Sequence, residues 1–140
     1  MADTQFERTC FQFSQILNGK SKTDGSLCSI PLKRQLTVNM QGKKTTSVLG
    51  VNVTFESLDT QGNALNIAEV VLLEEEVPHF LFAVMQQGLI VSALHNHWLY
   101  TNPNLMYTHV QSVEPPTTFA QKISNAFGTL SPPPVDVASH

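Results

Sequence analysis

The chain has 140 residues, 41% of them hydrophobic and 14% charged, and carries a formal charge of -3. That length suits one domain able to bury roughly two-thirds of the surface its unfolded form exposes, and the slight acidity excludes the basic footprint of a nucleic-acid binder. No apolar run reaches the roughly twenty residues that cross a bilayer, so neither nucleic acid nor membrane is an expected partner.

The first residues, Met1 to Arg8, place an acid where a signal peptide needs a basic end, and no apolar stretch follows, which predicts a cytoplasmic protein. Cys10 and Cys28 do not amount to a disulfide framework in a domain of this size and are expected to be reduced. Phe6, Cys10, Phe13 and Leu17 repeat at helical spacing, with Asp3 or Thr4 as cap and Gly19 as stop, so the chain opens on a helix with an apolar stripe. A polar stretch from Lys20 to Ser26 leads to strands at Leu27 to Ile30 and Leu36 to Met40, with Gly42 as turn. Lys20, Lys22, Lys33, Arg34, Lys43 and Lys44 read as a solvated loop surface. Val51, Val53 and Phe55 alternate with polar residues in a half-buried strand closed by the turn residues Asp59 to Asn63, and an antiparallel meander is the simplest arrangement.

Leu65 to Leu73 is nearly continuously apolar, which suits a central strand covered on both faces. Glu69 interrupts it and, if buried, needs a partner to offset its desolvation. Glu74, Glu75 and Glu76 suit the positive end of a helix whose apolar face is Val77, Phe80, Leu81, Val84 and Met85, with Pro78 in its first turn and Gly88 at its end. Leu89 to Leu94 begin another strand, and Leu105 to Val110 form the last. A final helix carries Phe119, Ile123, Ala126 and Phe127 and stops at Gly128; residues 131–140 read as an extended, mobile, proline-rich tail after a domain spanning residues 1–130. The strand, helix, strand unit from Leu65 to Leu94 has the length of a parallel crossover, which places Leu73 and His97 at one edge of the sheet. The predicted class is therefore α+β: a mostly antiparallel sheet with one parallel β-α-β crossover and helices packed against it.

That edge carries the chemistry. His95 and His97 lie two apart at the end of a strand-like run, so they project from one face, and His109 follows in the next strand. With Tyr100 to Asn104 as a five-residue loop, His97 pairs with Tyr107 and His95 with His109, and the three imidazoles converge as a set of metal ligands. A one-residue slip turns His109 to the other face. Three histidines match a catalytic zinc site that keeps a fourth position for water, with Glu69 as general base, fourth ligand or acceptor for an imidazole N–H. The plain alternative is a strand-end His95, a solvated His97 and a core His109. Asn96, Trp98, Tyr100 and Tyr107 are candidate contacts for a planar ligand, partial burial explaining the aromatic residues equally well. Ser92 is read as a strand residue rather than a nucleophile, and His79 and His140 as incidental.

The segments Ala68 to Val77 and Gly88 to His97, with the string Ala93-Leu94-His95-Asn96-His97 and a following strand that ends in His109, resemble the bacterial family named after the lipoproteins LppY and LpqO. The resemblance implies the same histidine cluster from the first helix to Gly128 and names no reaction. Glu69 stands where that family tends to have Asp, and its longer side chain departs from the pattern. The leading expectation is a zinc-binding protein using His95, His97 and His109, with hydrolysis of a small polar substrate as its chemistry; the alternative is a non-catalytic pocket that sequesters a nucleotide-like molecule. A small molecule is the expected partner, with self-association compatible with the sequence.

Overall fold

The computed structural model describes residues 4–139. Helix α1 (Thr4–Leu17) buries Phe6, Cys10, Phe13 and Leu17, the stripe expected from their spacing; Asp3, the alternative cap, and His140 lie outside the described residues. The helix stops at Asn18, which takes the left-handed conformation (φ 55°). Gly19 serves a different need: a Cβ there would lie 2.6 Å from Ile30 and 2.7 Å from Leu32, so only glycine lets the chain pass this close to the sheet.

Ten strands follow among the described residues: β1 (Lys22–Asp24), β2 (Leu27–Lys33), β3 (Val38–Met40), β4 (Lys43–Thr45), β5 (Gly50–Glu56), β6 (Ala64–Leu73), β7 (Ile90–His95), β8 (Thr101–Asn102), β9 (Leu105–Glu114) and β10 (Val135–Asp136). A seven-stranded sheet has the order β1-β2-β5-β6-β9-β7, with β10 on the edge of β2, and β4-β3-β8 forms a small second sheet. The chain is thus α+β with mostly antiparallel sheets and three helices. Helix α2 (Val77–Gln86) connects β6 to β7, and α3 (Pro116–Phe127) follows β9. The expected parallel neighbours are not neighbours: β9 lies between β6 and β7 and pairs antiparallel with both. The physical reason is that a strand added after the crossover can occupy the gap between two strands running the same way.

Alternation sorts the sheet into two faces. Cys28, Ile30, Leu32, Val53, Phe55, Ala68, Val70, Leu72 and Val110 are buried on one side, where α1 and α3 pack. Phe13 meets Phe55 edge to face at 5.0 Å between ring centres. On the other side Asn52 and Glu69, opposed in the register, are exposed. Strand β6 is therefore covered on both faces only around Val70 to Leu72, and Glu69 escapes the desolvation that full coverage would impose.

Three further expectations change. Cys10 and Cys28 form a disulfide that ties α1 to β2, with Cα atoms 5.8 Å apart, rather than remaining reduced. Arg34 is not on a solvated surface but 1% exposed. Its guanidinium donates to both carboxylate oxygens of Glu76 at 2.9 and 2.8 Å and to the Val71 carbonyl at 2.8 Å. Glu76, last residue of a 3-10 turn (Glu74–Glu76) that leads into α2, also accepts from the Leu73 N–H at 2.8 Å and the Ser131 N–H at 3.3 Å. One buried charge pair thus joins the end of β2, the end of β6 and the segment after α3. Residues 131–139, read as an extended tail, meet the sheet where Val135 and Asp136 pair with Lys33 and Leu32. No helix among the described residues is long and apolar enough to cross a membrane.

Candidate functional site

The histidines stand on the helix-free face, at the end where β7, β9 and β6 meet. The pairing is Ala93 with His109 and His95 with Tyr107, so the register differs by two residues from the expected one. An even shift preserves the face, and His95 and His109 remain diagonal neighbours. The difference arises because β7 ends at His95 instead of continuing to Leu99: residues 101–102 leave to pair with β3 in the small sheet. An irregularity in the register between Val91 and Ala93 sets Ser92 out of the ladder, and its hydroxyl donates to the His109 carbonyl at 3.3 Å, a structural contact.

His95 and His109 point their Nε2 atoms at each other across 3.2 Å, with their rings nearly parallel (20°) and 5.3 Å apart. The other nitrogen of His95, Nδ1, lies 3.2 Å from the Asn96 carbonyl oxygen, an acceptor only, so it is the protonated nitrogen of that ring. His109 Nδ1 faces Glu69 at 3.9 Å, and Glu69 is 61% exposed. At that distance the carboxylate makes no hydrogen bond to the ring. With the hydrogens of both rings on Nδ1, two Nε2 lone pairs face one another and can share a cation; with the His109 hydrogen on Nε2, that ring instead donates to His95.

His97 does not join the pair. Its ring centre is 5.8 Å from that of His95, and it packs edge-on against Trp98 at 4.6 Å and Tyr107 at 5.3 Å. Among the described residues, no group of three His, Cys, Asp or Glu side chains is placed to hold a metal ion; His95 and His109 are in direct contact, and the His97 ring lies beside that of His95. Trp98 donates its indole N–H to the Tyr107 hydroxyl at 3.1 Å, which donates in turn to the Val48 carbonyl at 2.6 Å. Burial pushes the Tyr107 phenol above its usual value, against the opposing effect of the Trp98 bond, so it stays a donor. Val48, His97, Trp98 and Tyr107 line a small cleft of about 220 Å³.

Asn96 supplies its backbone oxygen to His95, while its side chain donates to Asn104, which donates to Glu74 at 3.2 Å. Glu74 of the acidic turn therefore reaches the site through Asn104, a residue that the sequence marked only as part of a turn. Tyr100 is 75% exposed, and its carbonyl accepts from the Gln41 N–H; it adds nothing to the histidine pair. His79 lies on the exposed side of α2.

Fold and site together define an α+β antiparallel-sheet domain with a histidine pair and an aromatic wall on its open face. A family model described as Domain of Unknown Function (DUF1259) matches residues 11–129, and the chain belongs to that family. No curated protein and no solved structure matches it.

Proposed function

We propose that the protein binds a divalent transition metal, zinc first, between His95 and His109. The observation that carries this is the 3.2 Å separation of the two Nε2 atoms, with the second nitrogen of His95 held by the Asn96 carbonyl. Two imidazoles bound at about 2.0 to 2.1 Å to one tetrahedral ion stand about 3.3 Å apart, so the pair is spaced for a shared cation. Glu69 lies 3.9 Å from the far nitrogen of His109 and would orient that ring as an acceptor after a small side-chain shift, one of the roles the sequence left open to it. A zinc held by His95 and His109 would supply an activated water for hydrolysis of a small polar substrate. The likeness to LppY/LpqO-type proteins rests on the same string of residues and is offered with this reading. Cytoplasmic placement loses its footing with the Cys10–Cys28 disulfide, which favours an oxidising compartment.

The small aromatic cleft supports a second reading, capture of a planar ligand. At about 220 Å³ it is below the roughly 300 Å³ at which ligand pockets usually begin, so one ring fits and a whole nucleotide does not. Zinc titration followed by native mass spectrometry at neutral pH separates the two. One zinc per chain is expected, lost in both His95→Ala and His109→Ala and kept in His97→Ala, with Glu69→Gln weakening affinity about tenfold. Trp98 is the sole tryptophan: absent zinc binding, together with quenching of its emission by adenine, moves the assignment to the planar ligand.

A further inference from the structure

A larger cleft, about 570 Å³, opens at the far end of β2, and its volume lies within the roughly 300 to 1,000 Å³ of ordinary ligand sites. It shares Ser47 and Gly50 with the aromatic cleft but contains none of the histidines. Its buried lining is apolar where Leu32 and Leu49 reach it, Leu36 is half-buried beside them, and the exposed rim is polar at Ser47. Val137, from the segment after β10, forms part of one wall.

The lining itself carries two cations, Lys33 and Arg34, and no acid among the described residues, in a chain whose acids outnumber its lysines and arginines eleven to eight. The charge of Arg34 is already matched by Glu76. Lys33 is different: its ammonium donates to the neutral Ser139 carbonyl, and among the described residues it forms no ion pair. Asp136 accepts from the N–H groups of Ala138 and Lys20, and the Lys33 charge helps these bonds hold its carboxyl below the ordinary value, so Lys33 and Asp136 interact without a direct ion pair. A part-buried ammonium with one uncharged partner is open to a stronger, charge-assisted acceptor.

We infer that this cleft binds a small amphipathic carboxylate, whose aliphatic body lies on Leu32, Leu36 and Leu49 and whose carboxylate replaces the Ser139 carbonyl at Lys33. Residues 135–139 then act as a strap over the ligand, fastened by the pairing of β10 with β2 and by the Lys20 to Asp136 bond. The site is independent of the histidine pair, so either can fail without the other.

Isothermal titration of the full chain with octanoate and with its uncharged isostere octanamide tests it. Octanoate is expected to bind at least about tenfold more tightly than octanamide, the difference expected for one charge-assisted contact. Lys33→Gln should abolish the preference, Val137→Asp should abolish octanoate binding by placing a carboxylate in the wall, and His95→Ala should leave both intact. Circular dichroism of each variant confirms folding, and Val137, 45% exposed, is a position where folding should survive. Equal binding of the two probes, no binding of octanoate, or octanoate binding that persists in both cleft variants overturns the inference.

Discussion

Arg34 and Glu76 show what a single pair of residues contributes. Each would be prohibitively costly to bury alone; together they pair with one another, a strand-end carbonyl and two backbone N–H groups, and leave the Arg34 Nε without a partner among the described residues. Removing one partner leaves the other uncompensated, so Arg34→Met and Glu76→Gln should each lower unfolding free energy in urea by about 3 to 5 kcal/mol, and the double variant by clearly less than the sum. Burial alone would raise the Glu76 carboxyl, but the Arg34 bonds, the Leu73 N–H, the Arg34 charge and the Ser131 N–H together hold it below its ordinary 4.5. A depressed folded value means that this stability is present above pH 4.5 and is lost as pH falls through the lower folded value. The urea midpoint of the wild type should therefore drop on acidification in that window, and Glu76→Gln should lack this part of the slope. A pH dependence identical in both proteins would rule the pair out as its source. Nothing in the sequence separated Arg34 from the lysines around it, because burial is decided by what packs over a residue.

At the scale of elements, α1 and β2 are joined by the Cys10–Cys28 disulfide across a separation of 18 residues. Constraining a loop of that size in the unfolded chain is worth about 3 kcal/mol on the loop-entropy account. The Cys10→Ala, Cys28→Ala double variant should show that loss, and a reductant should lower the wild-type urea midpoint while leaving the variant unchanged. A midpoint insensitive to reductant would return the two cysteines to the reduced state expected from their number. The helical stripe of α1 was legible because Phe6, Cys10, Phe13 and Leu17 encode a period, and the same spacing placed Cys10 on the buried face. Which cysteine faced which lay in the packing of α1 against β2. The histidine site divides in the same way. That His95 and His109 share a face followed from strand periodicity and survived a two-residue change of register, whereas the departure of Thr101 and Asn102 to a second sheet took His97 out of line.

For the whole molecule, β6 sits between β5 and β9 near the middle of the seven-stranded sheet, and β7 lies at its edge with a break in its ladder. Hydrogen exchange should follow that order: slowest in the amides of Val70 to Leu72, where both faces are covered, faster in β7, and fast in the short β4-β3-β8 sheet. Protection in β7 equal to that in β6 would contradict an edge position. The helices follow the same logic, since α1 and α3 cover one face and leave the other for the histidines, the aromatic cleft and Glu69.

By itself the sequence determined the α+β class, the helical and most of the strand segments, the common face of His95 and His109 and the nearness of the acidic turn. These depend on periodicity and on turn residues, which act over a few positions. Tertiary structure alone decided that β9 separates β6 from β7, that Cys10 meets Cys28, that Arg34 is buried against Glu76, and that His97 packs edge-on against Tyr107. Each of those pairs residues far apart in the chain or depends on which strand takes the next place in a sheet, and that choice rests on the combined burial and pairing of the whole domain, which no local pattern contains.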